Sequence, residues 1–596
     1  AEKGRTALMG WSGTTVHEIT PPESDVRTRA HEYGGGAFLS DGDHTYYINN
    51  SDQQIYEVFE NDASRQITRE PEYRFADMIG DEGRNLIYCV GENHRDSKNV
   101  LNCLLRISLS TGELDIIAEG HDFYSNPQLS PNGNQLLFLT WDHPNMPWDG
   151  TQLHVASLNE EGDITGTQHV AGGNKDSIFQ PCWDPDGSIY FVSDRTGWWN
   201  IYRYSNSQTT CILDKQAEFG LPQWVFGMSR YAVLNSGDLL ATYSDISGSH
   251  LIRIDVSRGT YEDIDTPYST IDQVKGSKNL VAFIGGTDSQ SSEVVTIDLD
   301  TNIHSRLRKS AETKTEETYI SKPRHISFET APNELTHAWF YPPQNPDYGA
   351  APDDLPPLIV LSHGGPTGNS SGTFNLAIQY WTTRGFAIVD VNYSGSTGYG
   401  RDYRERLKGN WGIRDVQDCA AAANYLADQG LVDRERLIIK GGSAGGYTTL
   451  AALTFLNVFK AGASYYGIGD LTLLAEDTHK FESRYLDSMV GPFPGEKQLY
   501  LDRSPLFFAD QLDCPVIFMQ GLDDPVVPPN QAESMVAALK RNGIPVAYLP
   551  FEGESHGFRQ SSTVIKAIES EYYFYTRIFG IEPAELLEPI EIFNLD

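Results

Sequence analysis

From the start of the chain to about residue 310, apolar positions fall in short runs that alternate with polar ones, the period of β-strands. Runs such as Leu136-Leu137-Phe138-Leu139 and Ile189-Tyr190-Phe191-Val192 each follow a polar turn ending in glycine. The turn recurs as Ser40-Asp41-Gly42, Asp81-Glu82-Gly83, Ser130-Pro131-Asn132-Gly133, Asp184-Pro185-Asp186-Gly187 and Asn235-Ser236-Gly237, with Gly276-Ser277-Lys278-Asn279 as a degenerate sixth copy. A further strand comes later in the unit, as in Asn200-Ile201-Tyr202-Arg203-Tyr204 or Leu251-Ile252-Arg253-Ile254. Glycines 42, 83, 133, 187 and 237 lie 41, 50, 54 and 50 residues apart. A four-stranded unit with that period predicts an all-β propeller; a β-sandwich would show strands without the long repeat. Six units are visible and residues 5–18 read as the tail of another, so the pattern predicts seven blades with a truncated first blade. The aromatic stretches Trp198-Trp199 and Trp141 to Trp148 read as inter-blade packing, with a ligand wall as the alternative.

After about Tyr319 the period changes. Apolar strands (Leu358–Leu361, Phe386–Val389, Leu437–Ile439, Val516–Met519, Val546–Leu549) now alternate with helical stretches, Val416 to Gln429 closing at Gly430 and Asn530 to Arg541 closing at Asn542-Gly543. Continuous apolar strands flanked by helices are buried on both faces, which predicts a doubly wound, mostly parallel α/β sheet. Residues 309–318 are polar and read as a linker or exposed hairpin. The expected division is therefore 1–318 for the propeller and 319–596 for an α/β-hydrolase domain.

Length and charge sharpen this. At 596 residues more than one domain is required, and a formal charge of −36 argues against nucleic acid or an anionic membrane as partner. The charge reads as solubility, or as a field that draws in cationic substrates such as free peptide amines. No apolar run approaches the ~20 residues of a membrane helix. The chain opens on Ala1 and reads like the middle of a domain, so a preceding segment is expected to be missing; a cytoplasmic location and a homo-oligomer both remain open expectations. Six scattered cysteines with no C-x-x-C spacing, and no H-E-x-x-H or EF-hand loop, predict neither metal nor cofactor.

The chemistry is concentrated in the second half. Gly441-Gly442-Ser443-Ala444-Gly445 sits between an apolar strand and a helical run, the context of a nucleophile elbow. A serine hydroxyl needs a base, and the base needs an orienting acid, in the chain order Ser, acid, His. His556, in Glu554-Ser555-His556-Gly557, follows a later strand and is the base; the acid is one of the neighbours Asp523 and Asp524. The oxyanion requires two aimed N–H donors. Ala444, after the nucleophile, supplies one, and Gly365 in Ser362-His363-Gly364-Gly365-Pro366 supplies the other.

Together with Val391 to Gly400, Gly441 to Tyr447, Gly521 to Pro528 and Ser555-His556-Gly557, these residues resemble the prolyl oligopeptidase family of serine peptidases, in its acylaminoacyl-peptidase and aminopeptidase branch. The resemblance implies Ser443, Asp523 and His556 as triad, a propeller that caps the site, and short peptides or aminoacyl amides as substrates. His31 to Gly36, Asp122-Phe123-Tyr124 and the Trp141 to Asp149 loop also match this branch. Members that cleave after a second residue carry Arg or Asn two places past the acid, where this chain has Pro525, and the oxyanion tyrosine of prolyl-specific members is replaced by His363-Gly364-Gly365. The expectation is an aminopeptidase-like exopeptidase, with acylaminoacyl or dipeptidyl peptidase, esterase, or a propeller serving as an interaction module as alternatives. An exopeptidase should offer a carboxylate to the substrate ammonium, for which Glu32 and Glu92 are candidates. Tyr465 and Tyr466 are candidates for the pocket wall, with core packing as the alternative.

Overall fold

Each glycine turn identified above joins the first and second strands of a four-stranded antiparallel sheet. The computed structural model describes residues 4–595 apart from 14, 60–62, 278, 313–314 and 352. It contains six such sheets, spanning 38–66, 73–118, 123–172, 178–213, 231–264 and 270–309. The apolar runs that follow the turns are the second strands. Leu86–Asn93 and Ile189–Ser193 are buried almost throughout, whereas outer strands such as Ile164–Gly172 and Thr260–Ile264 are mostly exposed. Burial comes from neighbouring blades: Tyr88, Val90, Leu136 and Phe138 share one cluster, and Leu137, Leu139, Ile189 and Phe191 share the next.

The propeller has six blades, not seven. Met9–Trp11 and Val16–Glu18 pair only with each other, as a two-stranded hairpin, so the segment 5–18 is no remnant of another blade. Both the first and the last blade are built from consecutive strands. Lys278 of the sixth turn and Thr313-Lys314 of the polar stretch lie outside the described residues.

The last propeller strand ends at Lys309, and an eight-stranded sheet begins at Arg324. Its strands are β1 (Arg324–Ala331), β2 (Glu334–Tyr341), β3 (Leu358–Ser362), β4 (Ala387–Asn392), β5 (Leu437–Gly442), β6 (Ala461–Tyr465), β7 (Val516–Gly521) and β8 (Val546–Phe551). They are ordered 1-2-4-3-5-6-7-8. β1 and β2 are antiparallel, and β3 to β8 are parallel to one another. Alternate residues face opposite layers. Leu437 and Ile439 pack with the helices Arg414–Asp428 and Ala444–Phe455, while Ile438 packs with Leu376–Thr382 and Ser561–Phe579. Gly543 and Gly580 close two helices in the left-handed conformation that glycine reaches without steric cost. No helix among the described residues is long and apolar enough to cross a membrane.

Trp148 and Trp199, expected between blades, lie at the domain boundary, whereas Trp141 stacks on Phe123 within the propeller. Trp199 is covered by the Arg404 guanidinium at 4.4 Å, and Trp148 packs against Trp224 and the hydrolase residue Tyr485. Beside them Asp194, with a fully buried side chain, accepts hydrogen bonds from Arg401 at 3.1 Å and from Arg404. The segment Thr478–Tyr485 projects from the hydrolase into the propeller. Phe481 stacks on His31, the His143 imidazole meets Lys480 O at 3.0 Å, and Lys480 Nζ donates to Asn102 Oδ1 and Asp122 O.

Candidate active site

β5 delivers Ser443 into a turn that only small neighbours permit. Ser443 has φ 56° and ψ −122°, a conformation rarely populated by non-glycine residues, and caps the helix Ala444–Phe455. A Cβ on Gly441 would lie 2.4 Å from the Gly445 carbonyl carbon, and one on Gly445 would lie 2.0 Å from Ser362 O. The glycines are therefore steric requirements of the turn.

Ser443 Oγ lies 2.9 Å from His556 Nε2, and His556 Nδ1 lies 2.8 Å from Asp524 Oδ2. The carboxylate bonded to the imidazole is therefore Asp524, and the expectation of Asp523 in that place is corrected. Asp523 is exposed, and its backbone N–H donates to Glu554 O. The chain turns directly after β7, so the turn geometry, and no strand alternation, selects which of two adjacent carboxylates faces inward. Asp524 Oδ1 accepts from the backbone N–H groups of Val526 and Val527, both at 2.9 Å, which leaves Oδ2 for the imidazole. With Asp524 bonded to Nδ1–H, Nε2 is the acceptor for the serine proton. The position two places past the acid becomes Val526, which is buried and, like Pro525, has no side-chain donor.

Both expected oxyanion donors border Ser443. Gly365 and Ala444 both line a cavity that Ser443 borders, and no hydrogen bond from either amide is found among the described residues. Gly365 takes φ 122°, where glycine is favoured. The loop is held by His363, whose Nε2 meets Ser396 Oγ at 2.7 Å and whose carbonyl accepts from Tyr393. Burial pushes the His363 imidazole down to about 4, so it is neutral near neutral pH. From the propeller, Trp224 Nε1 donates to Thr367 O at 2.6 Å.

Two cavities meet at Ser443. One is an open cleft of about 590 Å³ bordered by Tyr33, Trp224, His363, Tyr466 and His556. The other is a narrow recess of about 30 Å³ lined chiefly by Trp411, Ile468, Leu474, Tyr485, Val526 and Val527.

The four expected substrate contacts fare differently. Tyr466 borders the cleft with its ring 4.8 Å from that of His556. Tyr465 does not: it closes β6 and its hydroxyl donates to Glu571 on the far layer, beside Lys440, while Tyr466, the first residue past the strand, takes φ 38°. Glu32 and Glu92 border neither cavity. Glu32 pairs with Arg74 at 2.5 Å. Burial raises the Glu92 carboxyl, but His94, His31 and Arg74 outweigh it and hold the group down at about 2. Both carboxylates are thus consumed inside the propeller. Sequence reasoning missed Glu482, which borders the recess, and gave Tyr33 no role although it lay inside a noted motif. Glu482 sits in a segment with no recognisable motif, and only its spatial position marks it.

The elbow, the inward acid and the glycine loop, on this sheet order and under a propeller, define a serine peptidase architecture. The chain belongs to the prolyl oligopeptidase family, whose model matches residues 372–582. Over its whole length it is similar to a puromycin-hydrolyzing peptidase of Mycobacterium tuberculosis, with 38% identity, 99% of this chain and 93% of that chain covered, and a TM-score of 0.96. A puromycin hydrolase solved in complex with PGG is 35% identical, with the same coverage and a TM-score of 0.95. Dipeptidyl aminopeptidase BIII of Pseudoxanthomonas mexicana is 34% identical over 209 residues, 34% of this chain and only 30% of that enzyme's length.

Proposed function

We propose that the protein is a serine exopeptidase that releases an N-terminal residue from short peptides or aminoacyl amides. The observation that carries this reading is the Ser443–His556–Asp524 hydrogen-bonded chain beside a narrow recess of about 30 Å³. In the first step His556 Nε2 takes the Ser443 proton as Oγ attacks the substrate carbonyl carbon. The N–H groups of Gly365 and Ala444 hold the resulting oxyanion, and Asp524 stabilises the imidazolium. His556 then gives its proton to the leaving nitrogen, the C–N bond breaks, and an acyl-enzyme remains. Water, deprotonated by the same imidazole, attacks the ester carbon; the C–Oγ bond breaks as His556 returns the proton to Ser443 Oγ, and the amino acid leaves. The puromycin-hydrolysing relatives support a bond between an aminoacyl group and an amine as the target. The test is hydrolysis of alanine p-nitroanilide, the N-acetylated analogue and simple esters by wild type and Ser443→Ala. The expected result is a preference for the free-amine anilide that Ser443→Ala loses by at least about 10⁴-fold. Full anilide hydrolysis by Ser443→Ala, or a preference for the blocked substrate, refutes the reading.

A further inference from the structure

Once a carbonyl carbon sits at Ser443 Oγ and its oxygen between the amides of Gly365 and Ala444, the adjoining Cα has two remaining heavy substituents, a side chain and a nitrogen. The recess that receives them is lined mostly by apolar and aromatic side chains, and Glu482 is the one carboxylate among its lining residues. Glu482 has a side chain 14% exposed and accepts a hydrogen bond from Tyr33 of the propeller at 3.0 Å. Tyr33 borders the open cleft and Glu482 the recess, so their bond spans the boundary between the two cavities that share Ser443.

The carboxylate has no arginine or lysine partner among the described residues. Arg74 is committed to Glu32, Arg484 to Asp487, and Lys480 Nζ to Asn102 and Asp122. His479 Nε2 lies 3.4 Å from Glu482 Oε2, yet neither ring nitrogen of this buried imidazole has a hydrogen-bond partner. A carboxylate largely removed from water without a full cationic partner is poised to take one from a ligand.

We infer that Glu482 is the specificity-determining anchor for the free α-ammonium group of the residue being released, with Tyr33 holding its carboxylate in place. This rests on the exopeptidase reading above and names the group that reading requires. An ammonium on the scissile residue meets the carboxylate directly. An acylated nitrogen brings no charge, and its extension competes for a recess of about 30 Å³.

The experiment measures kcat/KM for alanine p-nitroanilide and N-acetylalanine p-nitroanilide with wild type, Glu482→Gln and Tyr33→Phe. The readout is the ratio of the two, which a loss of fold or of nucleophile scales alike on both substrates and leaves unmoved. Glu482→Gln is expected to lower the ratio about 100-fold and Tyr33→Phe several-fold. In wild type the rate on the free-amine substrate should fall as its α-ammonium deprotonates near pH ~8, and that limb should vanish in Glu482→Gln. A wild type without preference for the free amine refutes the exopeptidase reading itself. A wild-type preference that survives Glu482→Gln overturns only the assignment of Glu482, as does a variant that loses discrimination between lysyl and norleucyl side chains instead. If Glu482→Gln does not fold, an unchanged ratio in Tyr33→Phe overturns the assignment.

Discussion

Replacing Asp524 by Asn tests the site more sharply than removing the nucleophile, because volume is conserved and only donor polarity changes. Oδ1 of Asp524 accepts two backbone N–H groups at 2.9 Å, from Val526 and Val527. An asparagine there must keep its carbonyl oxygen towards those donors, since an amide NH₂ cannot accept. Its NH₂ then faces His556 Nδ1, which must become the acceptor, and the ring proton moves to Nε2. Nε2–H lies 2.9 Å from Ser443 Oγ and can no longer take the serine proton. The same wrong-tautomer logic in the general Ser-His-Asp template costs about 10⁴ in kcat, equivalent to about 5.5 kcal/mol. Asp523→Asn alters an exposed side chain and should change the rate by less than about 2-fold. The assay is kcat and KM on alanine p-nitroanilide, with circular dichroism to confirm the fold. A loss in Asp523→Asn comparable to that in Asp524→Asn, or an Asp524→Asn enzyme within about 10-fold of wild type, refutes the argument.

Asp194→Asn should weaken the domain boundary by about 3–5 kcal/mol, because Arg401 and Arg404 lose a fully buried counter-ion; a lowered Tm and faster limited proteolysis check it. Tyr465→Phe should leave kcat/KM on alanine p-nitroanilide within about 2-fold, since its hydroxyl serves Glu571 on the far layer, whereas Tyr466→Ala should lower it at least about 10-fold by baring one side of His556. Burial holds the His154 imidazole down at about 4, against an ordinary value of 6.5. As pH falls from 6.5 towards 4, the unfolded chain binds a proton that the folded chain refuses, so this group costs stability on acidification. His154→Gln should therefore lose less Tm than wild type between pH 6.0 and 4.5, and an equal or greater loss counts against it.

The elbow was legible because its requirement is local: Gly441, Gly445 and the flanking strand and helix all lie within one turn of Ser443. The blade repeat was legible for a related reason, since each glycine turn joins the first and second strands of its blade within a few residues. What failed was partner assignment. The segment 5–18 has strand character, but whether two strands join a blade depends on neighbours distant in sequence. Asp523 and Asp524 carry the same chemistry one residue apart, and the turn that chooses between them leaves no mark in composition. Glu32 and Glu92 stood in suggestive surroundings, yet Arg74, 42 residues beyond Glu32, claims both. Glu482 had no such surroundings and lies 39 residues past Ser443.

The segment Thr478–Tyr485 has a consequence for what the two domains are separately. Its Lys480 and Glu482 are tied to Asn102, Asp122, His143 and Tyr33 of the propeller, while Glu482 and Tyr485 form part of the recess beside Ser443. The reactive atoms belong to one domain, but one wall of the chamber that sorts substrates is fastened by the other. If Glu482 anchors the substrate ammonium as inferred above, selectivity in this architecture is a property of the join. A hydrolase domain parted from its propeller would retain a nucleophile and a base and would surrender its means of telling one acyl group from another, so the β-domain is better understood as half of the lock than as a lid over it.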